Sequence, residues 1–233
     1  MSQYVGTGNL EVMADAINYN NFLVELVLKH AKAGDRILDF GAGIGTFSRR
    51  ISERGHDVTC VEPDPDQAAV IAESGLSVHN SLDQIADESL DYLYMLNVLE
   101  HVEHDVALLR EIHRKLKPGG RLLIYVPAFN ILFSSMDREV GHYRRYTRSS
   151  LASAARLAGF SINRTRYCDS LGFFATLVYK LVGDNSGRLN PRSLIAYDRI
   201  AFPLSRFADL LAGPIIGKNV VLVGEKKAAG ALI

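Results

Sequence analysis

The chain has 233 residues, 26 basic and 26 acidic side chains, and no formal net charge. Hydrophobic residues make up 48% and charged residues 22%, a composition that excludes disordered, collagenous and low-complexity chains and predicts one domain with a sizeable core. The charge balance argues against nucleic acid as a partner, since phosphate binding shows as a basic excess. Two cysteines, Cys60 and Cys168, cannot form a disulfide framework or a cysteine metal site alone, and both sit in apolar, strand-like sequence. The first twenty residues lack a basic segment followed by an apolar one, so no signal peptide is read. The most apolar tracts, 170–179 and 207–217, are too short to span a bilayer, so the expectation is a soluble cytoplasmic protein.

In chain order, apolar spacing predicts a helix over Phe22–Ala31, stopped by Gly34, and a strand over Arg36–Phe40 that runs into GAGIG. A helix over Gly45–Arg54, a strand over Asp57–Glu62, and a helix over Pro65–Ser74 opened by its proline follow. Next come a weak strand (Leu76–Asn80), a strong one (Leu90–Val98), a helix (His104–Leu116) and a strand (Arg121–Val126) entered through Lys117-Pro118-Gly119-Gly120. Residues 128–146 form a long connection. Thr147 caps a helix over Arg148–Ala158, and Phe160–Tyr167 is a strand. Two apolar helical stretches, Leu171–Val182 and Ser193–Leu211, flank an exposed loop at Asp184–Arg192, and Asn219–Glu225 is the last strand. Seven strands alternating with helices predict an α/β fold with a doubly wound, mostly parallel sheet. A helical insertion over 171–218 precedes the last strand, and the whole chain, 1–233, is read as one domain.

The sharpest local signal is ILDFGAGIG at residues 37–45. A buried strand feeds a glycine turn that opens a helix, and small residues at Gly41, Ala42, Gly43 and Gly45 let a ligand lie against the backbone. A dinucleotide fingerprint would need glycine where Thr46 stands. Asp39 at the strand's end suits a cationic group and opposes a pyrophosphate. Glu62, ending the second strand, can accept two hydrogen bonds from a ribose diol.

These motifs resemble those of the class I S-adenosylmethionine-dependent methyltransferases, which have a Rossmann-like fold. ILDFGAGIG is similar to that family's first motif, CVEPD to its acidic strand end, LDYLYMLNVLEHVEHD to its fourth-strand motif, and LKPGGRLLIYVPA to its fifth strand and preceding turn. The resemblance implies S-adenosyl-L-methionine as cofactor. Asp39, Gly41, Ala42, Gly43 and Gly45 would cradle its methionyl part, with Glu62 on the ribose and Pro63 and Asp64 by the adenine. It places Asn97 near the methionyl group. The family often carries an acidic residue after the third strand, where Asn80, Ser81 and Leu82 stand, so the adenine contact falls to Asn80, Ser81 or a Leu82 backbone group. Tyr19 and Asn20 are candidates to close over the cofactor.

Candidate bases for methyl transfer belong on loops after strands four and five. The first group is Glu100-His101-Val102-Glu103-His104. A metal reading of it lacks a distant third ligand, and related quinone-biosynthesis O-methyltransferases carry Glu where Asn97 stands; no metal is expected. The second is the loop Asp137–Thr147, with His142, Tyr143, Arg145 and Tyr146 as catalytic candidates. It resembles a GHYRRY-type signature of a bacterial subgroup. Its arginines suit an anionic acceptor group, or else pair with Asp137 and Glu139. The apolar stripes of 171–218 fit core, dimer contact, an acceptor lid or a membrane-surface helix. The reading is methyl transfer to an oxygen or nitrogen of a small, apolar or aromatic acceptor. Its rivals are a non-methylating enzyme of the same fold and an NAD-type oxidoreductase.

Overall fold

The computed structural model describes residues 15–182 and 191–228. Its first helix, α1 (Ile17–Leu28), precedes β1 (Arg36–Phe40), α2 (Thr46–Ser52), β2 (Asp57–Val61), α3 (Pro65–Glu73) and β3 (Ser77–His79). Then come β4 (Leu90–Leu96), α4 (Asp105–Lys115), β5 (Leu116–Pro127), the short α5 (Ser135–Glu139), α6 (Arg148–Leu157) and β6 (Ser161–Cys168). The helices α7 (Ser170–Val182), α8 (Pro191–Ala196) and α9 (Phe202–Ala212) separate β6 from β7 (Asn219–Glu225). The strands form one sheet in the order β3-β2-β1-β4-β5-β7-β6. Strands β1 to β5 pair in parallel, and β7 is antiparallel to both neighbours. The sheet is the doubly wound one that the sequence pattern predicts.

Alternation along the strands builds two apolar layers. Leu38, Leu93, Met95, Leu122 and Ile124 face one side, against Leu109 and Ile112 of α4 and Leu151 and Ala155 of α6. Ile37, Tyr92, Tyr94, Leu123 and Tyr125 face the other, against Leu23, Val24 and Val27 of α1. Each such fully buried side chain contributes about 1.5–3 kcal/mol relative to its exposed state, so the central strands are the rigid base of any site above them. The strand order reverses at β1, with β2 on one side and β4 on the other. Ligands of open α/β sheets bind outside the carboxyl ends of the strands at that switch point.

The helices between β6 and β7 are tied in by buried carboxylates. Asp198 accepts from the backbone N–H groups of Asn18 (3.0 Å) and Tyr19 (2.8 Å), capping the free donors of the first turn of α1 from 180 residues away. Asp209 caps α7 in the same manner, accepting from the N–H groups of Asp169 and Ser170 at 2.8 Å each. The stretch 193–211, expected as one helix, is broken by a π-helical turn at Tyr197–Ala201. Pro203, in the first turn of α9, has no N–H to continue the ladder. Among the described residues no helix is long and apolar enough to cross a membrane. The expected loop at 184–190 lies outside the described residues, as does the N-terminal stretch read for a leader.

Candidate functional site

The glycine turn is stapled to the end of β2. Gly41 N–H donates to the Val61 carbonyl at 2.8 Å, and Gly43 N–H donates to Glu62 Oε2 at 2.7 Å. Glu62 Oε1 accepts from Asp64 N–H at 3.0 Å, and Asp64 in turn caps α3. The carboxylate is therefore oriented, and each oxygen keeps a second lone pair for a ligand hydroxyl. Burial raises the Glu62 pKa, and the backbone N–H donors of Asp64 and Gly43 oppose that rise. Gly41 has φ +74°, and a Cβ there would lie 2.6 Å from Val98. Gly43 and Gly45 also have positive φ. The turn needs glycine for its path, and at Gly41 also for its packing against the residue after β4.

Asp39 lies near the carboxyl end of β1. It is 3% exposed, and its Oδ2 accepts from the Ser48 hydroxyl and, at 2.8 Å, from the Tyr94 hydroxyl. Desolvation pushes its pKa up to about 6 against the lowering effect of those two donors. A carboxyl so held supports the turn from the side of α2 and β4 through Oδ2. Ala42 is buried on the small core patch with Cys60 and Ile71, and Pro63 is exposed beside Glu62. Ser81 follows β3 in extended backbone, while the Leu82 side chain is buried in the core, which leaves only the Leu82 backbone to meet a ligand. Both cysteines are buried thiols, as expected.

Tyr19 and Asn97, 78 residues apart, meet: Asn97 Nδ2 donates to the Tyr19 hydroxyl at 3.4 Å. Asn97 has φ 56°, an αL position directly after β4 that asparagine tolerates. Tyr19 packs edge-on against Tyr125 and Phe202, and burial pushes its hydroxyl up to about 12. Glu100 is close enough to add to that rise.

The five catalytic candidates separate into two groups. His101 and His142 come together with ring centroids 4.5 Å apart. His142 Nδ1 lies 2.8 Å from Asp137 Oδ1, and its Nε2 lies 3.8 Å from Glu100 Oε1. His101 hydrogen-bonds the Val140 backbone, and burial pushes its pKa down to about 4, helped by His142. Glu100 is fully buried, neither of its carboxyl oxygens has a hydrogen-bond partner, and desolvation pushes its pKa up to about 8. Burial opposes ionisation of Asp137, but hydrogen bonds from His142 and Arg145 outweigh it and hold the carboxyl far below its ordinary range.

Arg145 shares Asp137 Oδ1 with His142, while Tyr146 and Tyr143 make other contacts. Arg145 is buried and bound in a fork to Asp137, Nε to Oδ1 at 2.8 Å and Nη2 to Oδ2 at 2.9 Å. Its guanidinium is engaged by that carboxylate, so as a catalytic candidate it would act through Asp137. The Tyr146 hydroxyl donates to Asp105 Oδ2 at 2.8 Å. Tyr143 is half exposed, with its backbone N–H on the Glu100 carbonyl at 2.8 Å. Arg144 binds the Glu103 carbonyl and lies 3.3 Å from Asp105, and Arg148 binds the Pro214 carbonyl. The expected arginine field across an acceptor entrance is largely spent on internal partners. Asp137 was legible only as an arginine partner, and its hold on His142 depends on the turn after α5.

Glu100, His101 and His142 offer ligand atoms within 4.8 Å of one another, a spacing at which three side chains could hold a metal ion. The loop after α5 thus brings a third candidate ligand, His142, to the pair after β4.

Truncating Glu62→Ala removes both the staple to Gly43 and the acceptor for a diol. It should weaken S-adenosylhomocysteine binding about 10- to 100-fold by calorimetry, since charge-assisted hydrogen bonds contribute about 1.5–3 kcal/mol. An unchanged affinity would take Glu62 out of the site.

A family model described as a methyltransferase domain matches residues 13–164. The chain is 29% identical over 178 residues to the ubiquinone biosynthesis O-methyltransferase of Pseudomonas aeruginosa, covering 65% of this chain and 75% of that one. Among solved structures, a SAM-dependent methyltransferase of Thermotoga maritima superposes with a TM-score of 0.64 at 19% identity, covering 96% and 98% of the two chains. Phosphoethanolamine N-methyltransferase 2 of Haemonchus contortus, in complex with S-adenosyl-L-methionine, gives 0.61 at 19% identity, over 94% of this chain and 57% of that one. With the glycine turn, the acidic strand end and the seven-stranded sheet in register, the chain belongs to the S-adenosylmethionine-dependent methyltransferases of the methyltransferase-domain family.

Proposed function

We propose that this methyltransferase transfers its methyl group to an oxygen or nitrogen of a small, apolar or aromatic acceptor, with His142 as the base. The observation that carries this reading is the 2.8 Å contact between His142 Nδ1 and Asp137 Oδ1. An Asp137 carboxylate held ionised by Arg145 keeps the proton on Nδ1, so Nε2 carries the free lone pair. That nitrogen lies 3.8 Å from Oε1 of Glu100, which follows Asn97 by three residues.

The cofactor, when bound, supplies an activated methyl group on sulfur. The turn Gly41–Gly45 and Glu62 hold it in this reading, with Tyr19 and Asn97 on the methionyl side. His142 Nε2 takes the acceptor's proton as the nucleophile attacks, and Asp137 stabilises the imidazolium that results. Glu100, neutral below its raised pKa, puts no negative charge beside His142 Nε2, 3.8 Å away. The relatives named O-methyltransferases support oxygen as the nucleophile. Uptake of labelled methyl from S-adenosylmethionine into an extract of phenolic and quinol metabolites tests the acceptor class. Label found only on sulfur or carbon would refute it.

A second reading of the same cluster is favoured by the two unpartnered oxygens of Glu100. Each histidine has a hydrogen bond at its ring, to Asp137 or to Val140, as metal-ligating histidines do. A divalent cation held there would replace His142 as the group that polarises the acceptor. Turnover that survives thorough chelation favours the base.

A further inference from the structure

The helices α7 and α9 pack on one another, yet each leaves an apolar stripe uncovered among the described residues. On α7 the stripe is Phe174, Val178 and Leu181, and on α9 it is Leu204, Phe207 and Leu211, each at helical spacing. Phe207 is 73% and Leu211 86% exposed. Soluble monomers rarely leave contiguous apolar surface of this kind without a partner.

The charges of the same segment are segregated. Within 170–217 the described acidic residues are Asp198 and Asp209, each 2% exposed and each engaged in capping a helix. The described basic residues, Lys180, Arg192, Arg199 and Arg206, are all exposed; Lys180 also donates to the Ile131 carbonyl at 2.7 Å, and the Arg206 guanidinium lies 3.9 Å from the Phe22 ring centre. The surface of this segment therefore combines bulky apolar side chains with cations and no exposed carboxylate among the described residues. A second copy would be a poor occupant. In a two-fold interface the same patch meets itself, which brings cations against cations. A surface of anionic headgroups over acyl chains complements both properties at once.

We propose that the α7–α9 face docks peripherally on an anionic lipid bilayer, with the apolar stripes at the acyl boundary and the lysine and arginines among the headgroups. The same segment grips the backbone of Asn18 and Tyr19 through Asp198, so the docking face and the Tyr19 wall of the candidate cofactor site belong to one packed unit. A face placed in this way would let an acceptor dissolved in the bilayer reach the enzyme without crossing bulk water.

Co-sedimentation of the full chain with vesicles tests this. Vesicles of phosphatidylcholine mixed with phosphatidylglycerol should bind it at least ~10-fold more tightly than phosphatidylcholine alone, and added salt should weaken that binding. The double variant Phe207→Asp, Leu211→Asp should no longer pellet while it keeps the wild-type melting temperature and S-adenosylhomocysteine affinity. Both positions are exposed, so the fold should tolerate the change. Three results would overturn the proposal: no pelleting with anionic vesicles at low salt, equal binding to neutral ones, or a wild-type dimer by light scattering that the double variant turns into a monomer.

Discussion

His142→Ala should lower turnover about 10²- to 10⁴-fold, the range that a positioned general base supplies, while S-adenosylhomocysteine affinity stays at the wild-type value. The separation of the two readouts follows from position. His142 sits on the loop after α5 and is held by Asp137, whereas the glycine turn is held by Val61 and Glu62. Asp137→Asn is the companion variant. It should cost nearly as much turnover, because an amide can present its donor to Nδ1 and so leave the proton on Nε2. It also turns the Oδ1 acceptor of Arg145 Nε into a donor and removes the ion pair, so it should lower the melting temperature, which His142→Ala should do far less. A His142→Ala enzyme with undiminished turnover would show that the loop has a structural task alone.

Glu100 gives the second large effect, on stability against pH. Its carboxyl has an ordinary value near 4.5 and is pushed up to about 8 by desolvation. A raised folded-state value for an acid means that the folded chain binds the proton more tightly. The contribution is therefore fully present below about pH 4.5 and is lost as pH rises through about 8. Between pH 5 and 8 the wild type should lose stability on the order of 3 kcal/mol relative to Glu100→Gln, whose amide does not titrate. Chemical denaturation of both proteins at the two pH values measures the difference, and parallel slopes would place Glu100 in a wetter environment. A divalent cation bound by Glu100 would reverse the sign, stabilising the wild type most where the carboxylate is ionised.

Much of this fold is legible from local pattern, because the strands are buried on both faces and bounded by glycine or proline. The expected limits of the strands Arg36–Phe40 and Asn219–Glu225 match the structure at both ends. The Lys117–Gly120 turn, by contrast, belongs to β5, which begins at Leu116 opposite Leu90. The first helix begins at Ile17 and not at Phe22, since its early N–H groups find their acceptor in Asp198, a partner that no local pattern reveals. The glycine turn and Glu62 are legible because both follow directly from strand ends. The loop after β5 is harder. Its histidine, arginines and tyrosines look alike as candidates until Asp137 and Asp105 each choose a partner. Asp137 takes His142 and Arg145, and Asp105 takes Tyr146. Which titratable group is left with a free lone pair is decided by those tertiary choices.

The central claim is that the cleft above β1, β2 and β4 holds a sulfonium nucleoside between the glycine turn and Glu62. Calorimetric titration of the wild-type chain with S-adenosylhomocysteine and, separately, with NAD tests it most directly. The account predicts saturable one-to-one heat with the first and none with the second. Binding of NAD with no heat from S-adenosylhomocysteine would contradict it.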